Sequence, residues 1–269
     1  MPEGDWRLLR EQALPGAEAM AYDEAAARTA ATGGPRTVRL YRWRPSTLSL
    51  GYRQSAESVD WAACERAGVD VIRRNTGGGG IYHDTYGDVS YSVIAPADEV
   101  PGDLLETYEL FCEPLFDAFD ALGVDARFVA EEHAAVHEPA CYLRALHPAH
   151  DIVAGDGRKL SGNAQYRRKD AVIQHGSITF RSEPERHLDC FAADDVTPAD
   201  FDGRVTSLLE QNPDLTRADV VAALEDALAE WAGAEEGEWT EAERDFAEER
   251  ADEKYRSEAW TRRRDDPTS

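Results

Sequence analysis

The chain has 269 residues and is 42% hydrophobic, enough for one substantial core and against global disorder. Lys and Arg number 29 against 53 Asp and Glu, a net charge of −24 that argues against nucleic acid or an anionic membrane as the main partner. This acidity, with lysine only at Lys159, Lys169 and Lys254, fits a halophilic cytoplasm; at about 1 M salt the Debye length is only ~3 Å and like surface charges repel weakly. Met1 to Arg10 has no apolar core of signal-peptide type. Nor does any apolar run approach the ~20 residues that span a bilayer. Cys64, Cys112, Cys141 and Cys190 are scattered, without metal-pair spacing or a disulfide framework, so a reducing cytoplasm is expected.

The alanine-rich stretch 17–31 predicts a helix ending at Gly33-Gly34. Thr37 to Trp43 alternates as a strand, Pro45 breaks it, and Thr47 to Tyr52 reads as its partner. Asp60 to Ala67 is a short helix stopped by Gly68, and Val69 to Ile72 is a strand. After that strand comes Arg73-Arg74-Asn75-Thr76-Gly77-Gly78-Gly79-Gly80, then His83-Asp84. Consecutive glycines cost roughly 0.5–1 kcal/mol each relative to alanine in regular structure, so main chain here is expected to pass close to something. Two arginines and bare amides suit an anionic ligand. The run is not a Walker A loop, because no Gly-Lys-Ser/Thr follows, and Tyr82 stands where a Rossmann spacing needs glycine.

Tyr86 to Ile94 returns as a strand. Asp103 caps a long helix with an apolar stripe from Leu104 through Tyr108, Phe111, Leu115 and Phe119, read as core, and Gly123 ends it. Val124 to Val129 is a candidate strand, and 130–150 an irregular loop. Asp156-Gly157 between two strand-like runs predicts a hairpin that delivers Lys159 just past its turn. In a chain this depleted in lysine, a retained one is read as needing its compact ammonium group. Ala171 to Ile178 is a further strand. The chain then turns helical over about 197–258, with starts at Thr197-Pro198 and Thr216 and a capping box at Thr240 and Glu243, before a frayed tail at 261–269. Strands before residue 180 and helices after it give an α/β (α+β) class: a mixed sheet packed with helices, in one domain over 1–260.

Four separated blocks carry a resemblance: Tyr41 to Tyr52, Arg73 to Asp84, Asp151 to Gln165, and Gln174 to Ser177. Their order and spacing resemble the lipoate–protein ligase family over about residues 17–180, and Lys254-Tyr255 with Trp260 is similar to the end of its catalytic domain. The resemblance implies a biotin/lipoate ligase type of domain. It implies an ATP-dependent ligase, with Mg2+, that makes lipoyl-adenylate and passes the lipoyl or octanoyl group to a lysine of a lipoyl domain. Such acceptors belong to 2-oxoacid dehydrogenase complexes or are the glycine cleavage H protein. Carried over, Arg74, Thr76, Gly77, Gly78 and Gly79 border the acyl group and phosphate, with His83 beside them. Lys159 binds the reacting oxygens, Asp151 helps hold the nucleotide, and Ser161, Gly162 and His175 complete the wall.

Two departures leave alternatives open. The family's accessory domain is expected to be absent, so a separate accessory subunit is one expectation. Cys141 lies upstream of the Lys159 hairpin, similar to the nucleophile of related octanoyl-transferases, which need no ATP. A buried structural cysteine is the plainer alternative. A zinc reading of His133, His137, Cys141, His147 and His150 is interrupted by Pro139 and Pro148, and no metal is assigned. A non-catalytic acyl-binding subunit is the last alternative. Arg158, Lys159, Arg167, Arg168 and Lys169 are read as a basic rim for an acidic lipoyl domain.

Overall fold

A computed structural model describes residues 4–192 and 195–268. In chain order the elements are β1 (Trp6–Leu14), α1 (Gly16–Ala31), β2 (Arg36–Trp43), β3 (Thr47–Leu50), α2 (Trp61–Ala67), β4 (Asp70–Arg73), β5 (Ile81–His83) and β6 (Asp88–Pro96). Then follow α3 (Leu104–Ala121), β7 (Ala126–Phe128), β8 (Asp151–Ala154), β9 (Lys159–Arg167), β10 (Ala171–Thr179) and the short helices α4 (Pro184–Leu188), α5 (Pro198–Arg204) and α6 (Leu208–Gln211). The chain closes with α7 (Arg217–Ala232), β11 (Glu235–Glu236), α8 (Glu241–Arg250) and two π-helical turns, Ala251–Tyr255 and Ala259–Arg263.

The expected mixed α/β architecture is present. An eight-stranded sheet runs β11-β1-β2-β6-β10-β9-β8-β7, beside a three-stranded sheet β4-β3-β5. Alternation along β2 explains the layers. Val38 and Leu40 face one way, into a core with Phe111 and Leu115 of α3 and Leu224 and Leu228 of α7. Tyr41 and Trp43 belong to a second cluster with alanines of α1, Ala247 of α8, Tyr255 and Trp260. Small side chains let α1 lie close on the sheet, and helices cover both faces.

Several expectations need correction. β3 does not pair with β2; it pairs parallel with β4 and antiparallel with β5, because the chain at Pro45 leaves the large sheet altogether. Strand β1 was not foreseen: its inner half is buried, but Arg7, Arg10 and Glu11 interrupt the apolar alternation and engage Glu243, Glu225 and Arg217. Leu104 is exposed rather than core. Residues 261–268 are folded back rather than frayed: Thr261 is buried, and Asp266 pairs with Lys254 at 2.8 Å. No helix among the described residues is long and apolar enough to cross a membrane.

Candidate active site

The glycine run leaves β4 and returns as β5, so it crosses the open end of the small sheet. Its shape is set by Arg74. This buried guanidinium donates to the carbonyls of Ser49 at 2.7 Å, Gly77 at 2.7 Å and Gly79 at 2.8 Å, and to Thr76 Oγ1 at 3.0 Å. Arg73 is spent in the same way, on the carbonyls of Gly51, Gln54 and Thr261 at 2.7, 2.8 and 3.0 Å. The donors of Arg74, and those of Arg73 apart from Nη2, thus go to groups of the protein itself, where the sequence setting suggested an anionic ligand. They satisfy backbone carbonyls that an irregular glycine loop would otherwise leave orphaned. The close passage expected of the run is real at Gly79, where a β-carbon would stand 2.7 Å from the Pro139 oxygen, and Gly78 passes close to Gly51 outside the run, where a β-carbon would stand 1.9 Å from the Gly78 oxygen.

Beside this loop lies a cavity of about 490 Å3. Its inner wall includes Met20, Trp43, His83, Ser90 and His175, and its mouth Leu104, Arg144, His147 and His150. Trp43 stacks on the His83 ring at 4.2 Å. His83 is fixed on both nitrogens, by Ser49 Oγ at 2.9 Å and Asp88 Oδ2 at 2.8 Å. His175 is fixed likewise, with Thr76 Oγ1 at 2.7 Å and Asp23 Oδ2 at 3.4 Å. Burial holds the His175 pKa below its ordinary value despite Asp23. Burial also pushes Asp23 upward, but Arg39 and His175 more than offset it, and the carboxyl ends below its usual range.

Lys159 and Asp151 meet across the β8–β9 hairpin. Lys159 Nζ lies 2.7 Å from Asp151 Oδ1, and the two side chains are 2% and 3% exposed. The ammonium also donates to the Cys141 carbonyl at 3.3 Å and lies 5.3 Å from the Tyr142 ring centroid. Burial works against each charge, and each is nevertheless held ionised by the other: the Lys159 pKa is raised and the Asp151 pKa is lowered well below the carboxylate range. Cys141 opens a short 3-10 turn, Cys141–Leu143, pinned to the glycine run by Cys141 N–H donating to the Gly80 carbonyl and Gly80 N–H to the Pro139 carbonyl, both at 2.8 Å. A β-carbon on Gly78 would stand 3.8 Å from Cys141 Sγ. Unlike the buried Cys112, whose thiol burial pushes up to about 12, Cys141 is half-buried and lines the cavity.

The cavity thus gathers Cys141, Lys159, Arg74, Gly77, Gly78, His83, Asp151, Gly162 and His175 of the expected residues. Thr76, Gly79 and Ser161 stand behind the wall; Thr76 acts through Arg74 and His175, and Ser161 Oγ points to Asn163 at 3.5 Å. Sequence reasoning passed over Asp23 as a site residue. Its signal was a carboxylate in the middle of an alanine-rich helix. The expected basic rim is mostly neutralised: Arg158 pairs with Asp156 and Glu210, Arg168 with Asp170, Arg167 bonds Thr107 and the Pro101 carbonyl, and Lys159 is buried. The histidine group is dispersed as well. His137 packs on Phe191, His147 and His150 stack at the mouth, and among the described residues no group of three or more ligand-type side chains converges.

Arg74, Arg144 and Lys159, the permanently charged residues lining the cavity, are each committed, to loop carbonyls, to Glu138 at 3.2 Å and to Asp151.

Residues 15–229 match the family model described as the lipoyl protein ligase A/B catalytic domain. The octanoyltransferase LipM of Kyrpidia tusciae is 36% identical over 281 aligned positions, covering 96% of this chain and 99% of that protein. The octanoyltransferase LipM of Geobacillus kaustophilus is 33% identical, covering 96% and 98%. Among solved structures, a lipoate-protein ligase A bound with ATP superposes with a TM-score of 0.80 at 27% identity, covering 96% of this chain and 99% of the other. The bipartite archaeal lipoate protein ligase of Thermoplasma acidophilum gives 0.80 at 26%, covering 97% of each.

Proposed function

This chain belongs to the lipoyl protein ligase A/B catalytic-domain family and is an enzyme of the ligase and octanoyltransferase group, and we propose that within it the protein is an octanoyl transferase acting through a Cys141 thioester. This reverses the order expected from the sequence, where the ATP-dependent ligase stood first. The observation that carries the reading is the placement of Cys141 on the cavity wall, with its carbonyl 3.3 Å from the buried Lys159 ammonium, while the lining arginines are spent on other groups. The names of the two sequence relatives support it, while the two solved structures are ligases.

In the first half-reaction the Cys141 sulfur attacks the carbonyl of an octanoyl thioester. The new C–S bond to Cys141 forms, the donor C–S bond breaks, and the donor sulfur leaves as a thiol with the proton that Cys141 gave up. Lys159, an ammonium beside Asp151, stabilises charge developing at the carbonyl oxygen, while the proton released by Cys141 ends on the departing donor sulfur. In the second half-reaction the amine of an acceptor lysine attacks the Cys141 thioester and the amide forms. Acyl carrier protein is the proposed donor. The proposed acceptors are lipoyl domains of 2-oxoacid dehydrogenase type or the glycine cleavage H protein. Because the donor is already activated, this reading needs neither ATP nor an accessory subunit.

The test is intact mass spectrometry of the protein after incubation with octanoyl-acyl carrier protein. One octanoyl adduct is expected, absent in Cys141→Ser and discharged when apo lipoyl domain is added. ATP-dependent attachment of free lipoate by Cys141→Ser would overturn the proposal in favour of the ligase.

A further inference from the structure

The glycine run carries positive charge that the fold does not neutralise. Arg73 and Arg74 are buried, and among the described residues neither lies within ion-pair distance of a carboxylate. Their partners are neutral carbonyls and hydroxyls, and Arg73 Nη2 has no hydrogen-bond partner among the described residues. Buried charges are ordinarily paired. Arg73 also shapes the surface above it. Its guanidinium donates to the carbonyls of Gly51, Tyr52 and Gln54 on one side and to those of Trp260 and Thr261 on the other. The exposed residues next to those carbonyls, Arg53 and Arg262 to Arg264, are thereby drawn together.

Arg262 and Arg263 have exposed carboxylates nearby, Glu258 at 3.6 Å and Asp265 at 3.3 Å. Arg53 and Arg264 pair with none among the described residues, although the chain has a net charge of −24. The charge of Arg264 joins burial in holding the Arg73 pKa down, to about 10, which places the two guanidiniums close together. Arg264 is moreover kept at a backbone cost. It caps the last turn with φ 62°, the only positive φ outside glycine among the described residues. Glycine suits that position best. The exposed Arg264 side chain makes no hydrogen bond or ion pair among the described residues that would offset the strain.

We infer that Arg53 and Arg264 form the docking surface for the acidic carrier domain that brings the acyl thioester, an inference that rests on the transferase reading above. The place fits a donor. Gly77 and Gly78 line the cavity and are exposed, and Gly51 lies against Gly78, so the surface sits just outside the wall that Cys141 shares. An acyl group on a long flexible arm passes round the loop from there to the sulfur. An acceptor lysine has only a four-carbon stem and must bring its domain to the mouth itself. Arginine forks match the carboxylates of an acidic domain, and charges at the rim of an interface act mainly on association.

The test is calorimetric titration of the protein with holo acyl carrier protein, which bears the arm but no acyl group. The double variant Arg53→Glu with Arg264→Gly is expected to weaken binding by at least about tenfold at low salt and to flatten its dependence on KCl. Arg264→Gly alone is expected to weaken carrier binding while keeping or raising the melting temperature, a combination that an arginine of purely structural role would not give. In the double variant, kcat/KM for Cys141 acylation by octanoyl carrier protein should fall by the same factor, through KM. Acylation by octanoyl-pantetheine, which has no carrier domain, should stay within about twofold, as should transfer to a lipoyl domain. Unchanged carrier binding, an equal loss with octanoyl-pantetheine, a loss confined to the lipoyl-domain step, or a parent protein that binds no carrier would each overturn the inference. If no acyl-Cys141 forms but carrier binding still falls in the variants, the proposed function fails and the docking surface stands.

Discussion

The Lys159 ammonium and the Asp151 carboxylate are 2.7 Å apart with almost no exposure to water. Such a pair is costly to assemble and costlier to break, because removing one partner leaves a buried uncompensated charge, typically at about 3–5 kcal/mol. Asp151→Asn, which strands the Lys159 ammonium, and Lys159→Met, which strands the Asp151 carboxylate, are therefore each expected to destabilise the protein by about that amount. The pH dependence follows from the two shifts. Asp151 is lowered by folding, so its contribution is present above about pH 3.9 and is lost as pH falls through the folded value. Lys159 is raised, so its contribution is present below about pH 10.4 and is lost as pH rises through its folded value. Urea unfolding of parent and Asp151→Asn across that range checks both limbs; a constant difference down to pH 2 would contradict the assignment.

Arg74 is predicted to be a builder of the loop. Lysine cannot reproduce its fork, so Arg74→Lys loses several charged hydrogen bonds to main-chain carbonyls, each worth about 1.5–3 kcal/mol. The expected result is a fall in melting temperature together with proteolytic cleavage near Gly77-Gly78. A ligand-binding arginine would instead leave the unliganded melting temperature unchanged.

The glycines are not equivalent. A β-carbon on Gly51 would collide with the Gly78 oxygen at 1.9 Å, whereas one on Gly77 meets nothing within 4 Å. Gly51→Ala should displace the loop and slow acylation of Cys141 by at least about tenfold, since misplacement by ~1 Å can cost about 10². Gly77→Ala should acylate at the parent rate. Equal effects from the two would mean that the run serves flexibility rather than close approach.

The contrast at the glycine run shows what was legible in the sequence. Periodicity located most elements, because helices such as α3 and strands such as β6 bury one face against a single core. Motif blocks pointed to Lys159 and Asp151, and the comparison with octanoyl-transferases to Cys141, all of which line the cavity. Hydrogen-bond direction was not legible. Arg73 and Arg74 look the same in sequence whether they face an anion or eight main-chain carbonyls, and only the fold decides. Partners distant in sequence were equally hidden. Asp23 reaches His175 across 152 positions, and no local pattern encodes that.

The C-terminal turns are tied to the same loop, which gives the last prediction. Trp260 Nε1 donates to the Arg73 carbonyl at 2.7 Å, and Tyr255 and Glu24 receive the Asn75 amide at 2.7 and 2.9 Å. Lys254 lies 3.3 Å from Glu24 and 4.3 Å from the Trp260 ring centroid, which accounts for a second retained lysine. Trp260→Phe keeps the apolar bulk but strands the buried Arg73 carbonyl, at a cost of about 1–3 kcal/mol. The loss should be local: amide hydrogen exchange is expected to quicken over 73–80, while β6 and β10 stay protected. Lys254→Met, which leaves Glu24 without its nearest cation, should loosen the same segment through Asn75. Uniform acceleration across the large sheet in either variant would show that these turns support the whole fold and not the glycine loop in particular.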